Sequence, residues 1–243
     1  MSSLMRLKQQ QSYIQGCVMP KTAVITGTSS GLGLDLANHF INEGWRVIGL
    51  SRKPSPINSQ NFTQKIVDIQ DYKSVEFVFK ELKNEALDLL INNAATFTMT
   101  EFCDTDINTI NTIIDTNLKG SIYVCKYALS LLNKDSRIIF INSVAGLEEL
   151  EKQSIYCASK YALTGFAGVL GKELRSKRIK VVSIHSGGIN TPLWNTSNPY
   201  PCGNVSEAIP TQEITKLISF IVNSPVNIEY KTIKLFPSLE WHN

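Results

Sequence analysis

Two hydrophobic periods alternate along most of this chain, and that alternation limits the possible folds more than any other feature. Short apolar runs bounded by turn residues fall at 23–26, 46–50, 65–67, 87–91, 137–142, 180–184 and 232–236. Between them lie stretches of helical length and spacing at about 31–43, 71–86, 107–132, 154–176 and 211–223. A strand that is apolar on consecutive residues must be covered on both faces, as in a parallel sheet with helices packed on each side. The pattern predicts an α/β fold, a doubly wound parallel sheet forming a single domain over residues 21–243.

Composition narrows the function classes. At 43% hydrophobic and 19% charged residues, 243 in all, the chain can bury a sizeable core, which excludes disorder as its main state. The net charge is +3 and no basic run stands out, so nothing supports a nucleic-acid partner. No apolar stretch reaches the roughly 18 residues of a membrane helix. Five cysteines (Cys17, Cys103, Cys125, Cys157, Cys202) contain no C-x-x-C pair. They read as reduced thiols of a cytoplasmic protein, not as a disulfide frame or zinc site, and no cluster has metal-ligand spacing. Residues 1–20 lack the apolar block of a secretory signal. They read as a disordered leader or as sequence upstream of a start at Met19, with an amphipathic organellar address as the alternative.

In doubly wound sheets ligands bind beyond the carboxyl ends of the strands, so function is sought just after each strand. The first strand runs into Thr26-Gly27-Thr28-Ser29-Ser30-Gly31-Leu32-Gly33 and then a helical pattern. Glycines let backbone amides approach an anion, and the following helix offers unpaired N–H groups and the positive end of its dipole. A plain strand-to-helix turn is the bland reading. The strand before and helix after favour a dinucleotide pyrophosphate over Gly27, Ser29, Ser30, Gly31, Leu32 and Gly33. The second strand ends Ser51-Arg52-Lys53 with no acid to hold ribose hydroxyls. The planar fork of Arg52 and the Ser51 hydroxyl suit a 2′-phosphate, hence NADP(H) over NAD(H).

Tyr156 and Lys160 are spaced i, i+4 on a predicted helix, so phenol and ammonium can attend one ligand. The lysine charge is expected to draw the phenol pKa down from about 10, making Tyr156 a general acid or base. Spacing alone is weak, because Tyr230 and Lys234 repeat it in an expected strand. Ser143 stands at the end of the fifth strand. Asn117 interrupts the apolar stripe Ile110, Ile113, Ile114, Leu118, Ile122, Cys125 of helix 107–132. A buried amide there needs partners. His185, at the end of the sixth strand, reads as a satisfied structural residue.

Taken in order, these motifs resemble the short-chain dehydrogenase/reductase family, in its single-domain branch. The glycine turn is similar to T-G-x-x-x-G-x-G, and Ser143, Tyr156 and Lys160 to the catalytic Ser-Tyr-Lys with Asn117 as fourth member. Asp68-Ile69 resembles the acid-plus-apolar pair beside the adenine, and Asn92-Asn93-Ala94-Ala95 resembles N-N-A-G with Ala95 for glycine. His185-Ser186-Gly187-Gly188-Ile189-Asn190-Thr191 resembles P-G-x-x-x-T without its proline, a segment whose backbone, through Ile189, and threonine, Thr191, hold the nicotinamide amide. The resemblance covers about 22–192. It implies a Rossmann-type, seven-stranded parallel sheet and reversible hydride transfer between a nicotinamide and a small or medium carbonyl or alcohol. Asn117 would anchor a proton-relaying water. A homodimer or homotetramer joined through helices 107–132 and 154–176 is also implied. The competing readings are a non-catalytic NADP(H)-binding sensor or scaffold, and an isomerase or dehydratase on the same cofactor. The first is disfavoured because every reacting group is present. The second is disfavoured because such relatives carry longer substrate domains.

Overall fold

The structure, a computed structural model, describes residues 20–195 and 198–242; the expected leader and Cys17 lie outside the described residues, save for Pro20. Seven strands form one sheet: β1 Thr22–Thr26, β2 Arg46–Ser51, β3 Phe62–Ile66, β4 Leu87–Asn92, β5 Leu132–Ser143, β6 Lys180–Ser186 and β7 Thr232–Leu235. All neighbours are parallel, in the order β3-β2-β1-β4-β5-β6-β7. Among the described residues six α-helices cover it: α1 Gly31–Asn42, α2 Tyr72–Glu81, α3 Ile107–Ile114, α4 Ser121–Ala128, α5 Ser154–Glu173 and α6 Thr211–Asn223. This is the Rossmann-type doubly wound sheet that the alternating periods predict. Strand order reverses between β1 and β4, which opens a crevice at their carboxyl ends.

Because side chains alternate across a strand, each apolar run feeds both faces. Val24, Leu90, Ile138 and Phe140 pack under α2, α4 and α5 with Val75, Phe79, Val124 and Leu163. Ile25, Leu89, Ile91 and Ile139 pack under α1 and α6 with Leu36, Phe40, Ile214 and Ile218. The two layers fix the strand register, since a one-residue slip would exchange the faces. Arg137 is a buried exception. Its guanidinium donates to the carbonyls of Val222 and Ser224 at 2.9 Å each, satisfying the end of α6.

Three segments depart from expectation. The third strand lies at Phe62–Ile66, three residues earlier than the apolar pattern places its start, because its exposed edge position tolerates Thr63 and Gln64. β5 begins at Leu132, ahead of the apolar run, and its register shifts where β4 passes from Leu87 to Leu89. The polar residues there are anchored locally, Asn133 donating to Asp88 at 2.9 Å. The expected helix 107–132 is broken into α3, a π-helical turn over Asp115–Gly120, and α4. The wide turn rotates the buried face. Thr116, Asn117, Gly120 and Ser121 therefore lie inside, while Ile110, Ile114, Leu118 and Ile122 are only half-buried. Gly120 is required: a Cβ there would come within 2.8 Å of the Ile69 side chain. Among the described residues no helix is long and apolar enough to cross a membrane.

Candidate active site

β1 delivers the glycine turn into the crevice. Gly27 and Gly31 have φ of +79° and +55°, which favour glycine. A Cβ on Gly33 would overlap the Gly27 carbonyl oxygen, so helix and turn can pack this closely only with glycine. Thr26 ties the turn to β4: its hydroxyl accepts from the backbone amides of Asn93 and Ala94 at 2.9 Å each, and the Asn93 side-chain Nδ2 donates to the Thr26 carbonyl at 2.9 Å. Ser30 stands at the N-terminus of α1 without capping it, and the first turn carries no acid. By contrast Asp71 and Asp106 cap α2 and α3; the Ser74 hydroxyl and then the Lys73 amide hold the Asp71 carboxyl below the usual range, and the Thr109 hydroxyl and amide do the same for Asp106. The amides at the start of α1 are thus left for an anion.

A cavity of about 810 Å³ runs from this turn along the strand ends. At one end lie Ser51, Arg52, Asp68, Ile69 and Gln70, at the centre Gly27, Ser29 to Gly33, Asn93 and Ala94, and at the other Ser143, Tyr156, Lys160, Ile189 and Thr191. Arg52 is exposed and makes no hydrogen bond or ion pair among the described residues. Ser51 differs from expectation. Its buried hydroxyl donates to the Lys53 carbonyl at 2.6 Å and accepts from Gln64 at 3.1 Å, so it shapes the β2 turn and has no proton left for a phosphate. Thr191 lies against Gly31, and the Ile189 carbonyl accepts from the Trp194 indole at 2.9 Å.

β5 carries Ser143 to the cavity wall, where its hydroxyl accepts from the Ala145 amide at 3.2 Å and acts on the Tyr156 phenol, drawing its pKa down. The Tyr156 ring packs edge-on against Phe97, with centroids 4.9 Å apart. One turn along α5, Lys160 is buried; its ammonium lies 5.6 Å from the centre of the Tyr156 ring and donates to the Ile141 carbonyl at 3.0 Å. Burial pushes the Lys160 pKa down to about 8. Burial also pushes the Tyr156 phenol up to about 12, against the opposing Ser143 hydrogen bond. The expected lowering by Lys160 is therefore not what this site displays: burial dominates, and the phenol keeps its proton at neutral pH.

Asn117 does not line the cavity. Its side chain donates to the Thr96 carbonyl at 2.9 Å and Ser159 hydroxyl at 3.2 Å, and accepts from the Thr96 amide at 2.8 Å. With those bonds it stitches the segment after β4 to α5. His185 is half-satisfied. Nδ1 lies 3.1 Å from the Ser143 carbonyl, while Nε2 is buried without a partner, and burial holds its pKa low.

The family profile described as short chain dehydrogenase matches residues 21–201. The chain belongs to the short-chain dehydrogenase family. Among curated relatives, an uncharacterised oxidoreductase of Staphylococcus saprophyticus is 31% identical over 77% of this chain and 88% of its own. Another, of Schizosaccharomyces pombe, is 35% identical over 73% of this chain and 63% of its own. Among solved structures, a short chain dehydrogenase family protein of Francisella tularensis superposes with TM-score 0.80 at 19% identity, covering 91% of this chain and 99% of its own. Aldohexose dehydrogenase of Thermoplasma acidophilum gives 0.78 at 20%, covering 91% and 94%. At those identities the likeness bears on the fold.

Short-chain dehydrogenases are oxidoreductases that bind a nicotinamide cofactor and act on small molecules. The residues here fit such a cofactor: the glycine cradle a Cβ would fill, the uncapped α1 start and the unpaired Arg52 share one cavity. Sequence reasoning did not assign Thr26, Phe97 or Glu240. Thr26 was legible as the residue before the first glycine. Phe97 and Glu240 reach the cavity from segments without a periodic signal.

Proposed function

We propose that this short-chain dehydrogenase is an NADP(H)-preferring reductase of small or medium carbonyl compounds, able to run in reverse on the alcohols. The single observation carrying this reading is that Ser143, Tyr156 and Lys160 line one cavity, the ammonium 5.6 Å from the Tyr156 ring, together with the free amides of α1. The turn Gly27 to Gly33 would hold the pyrophosphate, Arg52 would pair with a 2′-phosphate, Asp68 and Ile69 would flank the adenine, and Asn93, Ala94, Ile189 and Thr191 would border the nicotinamide half. A bound reduced nicotinamide supplies the hydride. Ser143 donates a hydrogen bond to the substrate oxygen and fixes its approach. Tyr156, protonated at neutral pH, gives that oxygen its proton. Lys160, charged below its pKa of about 8, stabilises the phenolate left behind and holds the ribose hydroxyls. Phe97, Trp194 and Pro201 supply an apolar wall for the substrate. Asn117 supports the site by bracing α5.

Fluorescence titration with NADPH and NADH, followed by a panel of ketones and aldehydes, tests the reading. NADPH should bind more tightly than NADH, and wild type but not Tyr156→Phe should turn over. Tight binding with no turnover on any carbonyl would favour the sensor or scaffold. The same reading carries a homodimer or homotetramer joined through segments 107–132 and 154–176, which light scattering tests.

A further inference from the structure

The segment after β6 carries Ser186 at the proline position of its family pattern, and Gly187 is followed by a second glycine, Gly188. Two glycines in succession leave a loop beside the reacting groups with high conformational entropy. What holds it comes from the other end of the chain. Beyond β7, a short 3-10 turn over Ser238–His242 returns across the strand ends and brings Glu240 into the cavity wall. Its Oε1 accepts from the Gly188 amide at 2.8 Å and from the Tyr200 hydroxyl at 2.7 Å. Oε2 occupies the place a Cβ on Gly187 would fill, and the Pro237 ring lies 2.8 Å from that same position. A Cβ on Gly188 would overlap the Tyr200 ring and come within 2.8 Å of Oε1. The glycines and the carboxylate are thus a matched set: either side chain added at 187 or 188 would expel Glu240.

Tyr200 passes the restraint onward. Its ring packs edge-on against Trp194 at 5.2 Å, Trp194 against Phe97 at 5.2 Å, and Phe97 against Tyr156 at 4.9 Å. Trp194 also donates to the Ile189 carbonyl, so the loop after β6 and the aromatic row are joined twice. We propose that Glu240 is a positioning residue whose carboxylate clasps the Gly188 amide and the Tyr200 hydroxyl, taking the place of the missing proline and holding the aromatic row against the substrate end of the cavity. Charged hydrogen-bond acceptors are the strong ones, and this one restrains two segments at a single oxygen.

The inference rests on the reductase reading for its kinetic consequence, and a second measurement keeps the two apart. Glu240→Ala should raise the KM for a carbonyl substrate about tenfold at saturating NADPH and lower kcat by a smaller factor, as a loosened positioning group does. Glu240→Gln keeps an acceptor oxygen for both donors and should restore most of the loss. Hydrogen exchange measured by mass spectrometry on peptides covering 186–191 and 198–203 should speed up in Glu240→Ala and remain near wild type in Glu240→Gln. Tyr200→Phe, which removes one bond without opening a cavity, should speed exchange at 198–203 and serves if Glu240→Ala does not fold. Unchanged exchange in both Glu240→Ala and Tyr200→Phe overturns the clasp. So does a Gln variant as impaired as the Ala variant, which would assign Glu240 a role through its charge on the substrate. If wild type reduces no carbonyl, the reductase reading fails while the exchange result still decides the clasp.

Discussion

Replacing Lys160 with methionine should make the ligand-free protein more stable while removing its activity. The ammonium is buried, its pKa falls from 10.5 to about 8, and desolvation is the sole cause. At about 1.4 kcal/mol per pKa unit, the folded chain carries a penalty of about 3 kcal/mol for keeping the charge at pH 7. Methionine is close in shape and needs no hydration. Losing the bond to the Ile141 carbonyl gives back about 1 kcal/mol, leaving a net gain of about 2 kcal/mol. For a chain of this length that is a Tm increase of about 4–8 °C. The pH dependence supplies an internal control. The unfolded chain holds the proton more tightly than the folded one, so the penalty is complete below the folded pKa of about 8 and fades as pH rises toward 10.5. Differential scanning calorimetry of both proteins from pH 7 to 10 should find Lys160→Met ahead at pH 7 and the gap closing with rising pH. A variant that melts at or below wild type at pH 7, or a gap that does not change with pH, would refute the argument.

Other parts of the site give separate expectations. Arg52→Ala should weaken NADPH binding by about 10- to 100-fold, the value of a charged hydrogen-bonded pair, and leave NADH affinity nearly unchanged in the same titration. Gly33→Ala places a methyl group on the Gly27 carbonyl oxygen; equilibrium unfolding in urea should report a loss of about 1–3 kcal/mol, and binding of both nucleotides should suffer together. Asn117→Ala removes three hydrogen bonds inside the fold, so it should lower stability by about 1–3 kcal/mol in that assay.

The architecture was legible because the central strand runs are apolar on both faces and five of the seven runs are followed by a stretch of helical length and spacing. The break in helix 107–132 was not. A π turn inserts its extra residue without any glycine-proline signal, and it exchanges an apolar inward face for the small polar one of Thr116, Asn117, Gly120 and Ser121. Burial of small polar residues is decided by what packs opposite, here Ile69, which no local period encodes. In the site, Gly27, Gly31, Gly33, Ser143, Tyr156 and Lys160 were readable because chemistry demands those residue types directly after particular elements. Ser51 and Asn117 were readable as positions, but not their bonds to Gln64, Thr96 and Ser159, which reach across distances the sequence does not reveal. The balance of burial against charge at Tyr156 is likewise a property of the packed wall, and Glu240 arrives from the far end of the chain.

The most direct test is a single-turnover experiment: protein loaded with NADPH is mixed with a carbonyl substrate, and cofactor oxidation is followed for wild type and Tyr156→Phe. The account predicts rapid oxidation by wild type and a rate lower by about 100-fold or more in the variant, at matched NADPH affinity. Equal rates in the two proteins would contradict it, because the proton would then come from elsewhere than the phenol beside Ser143.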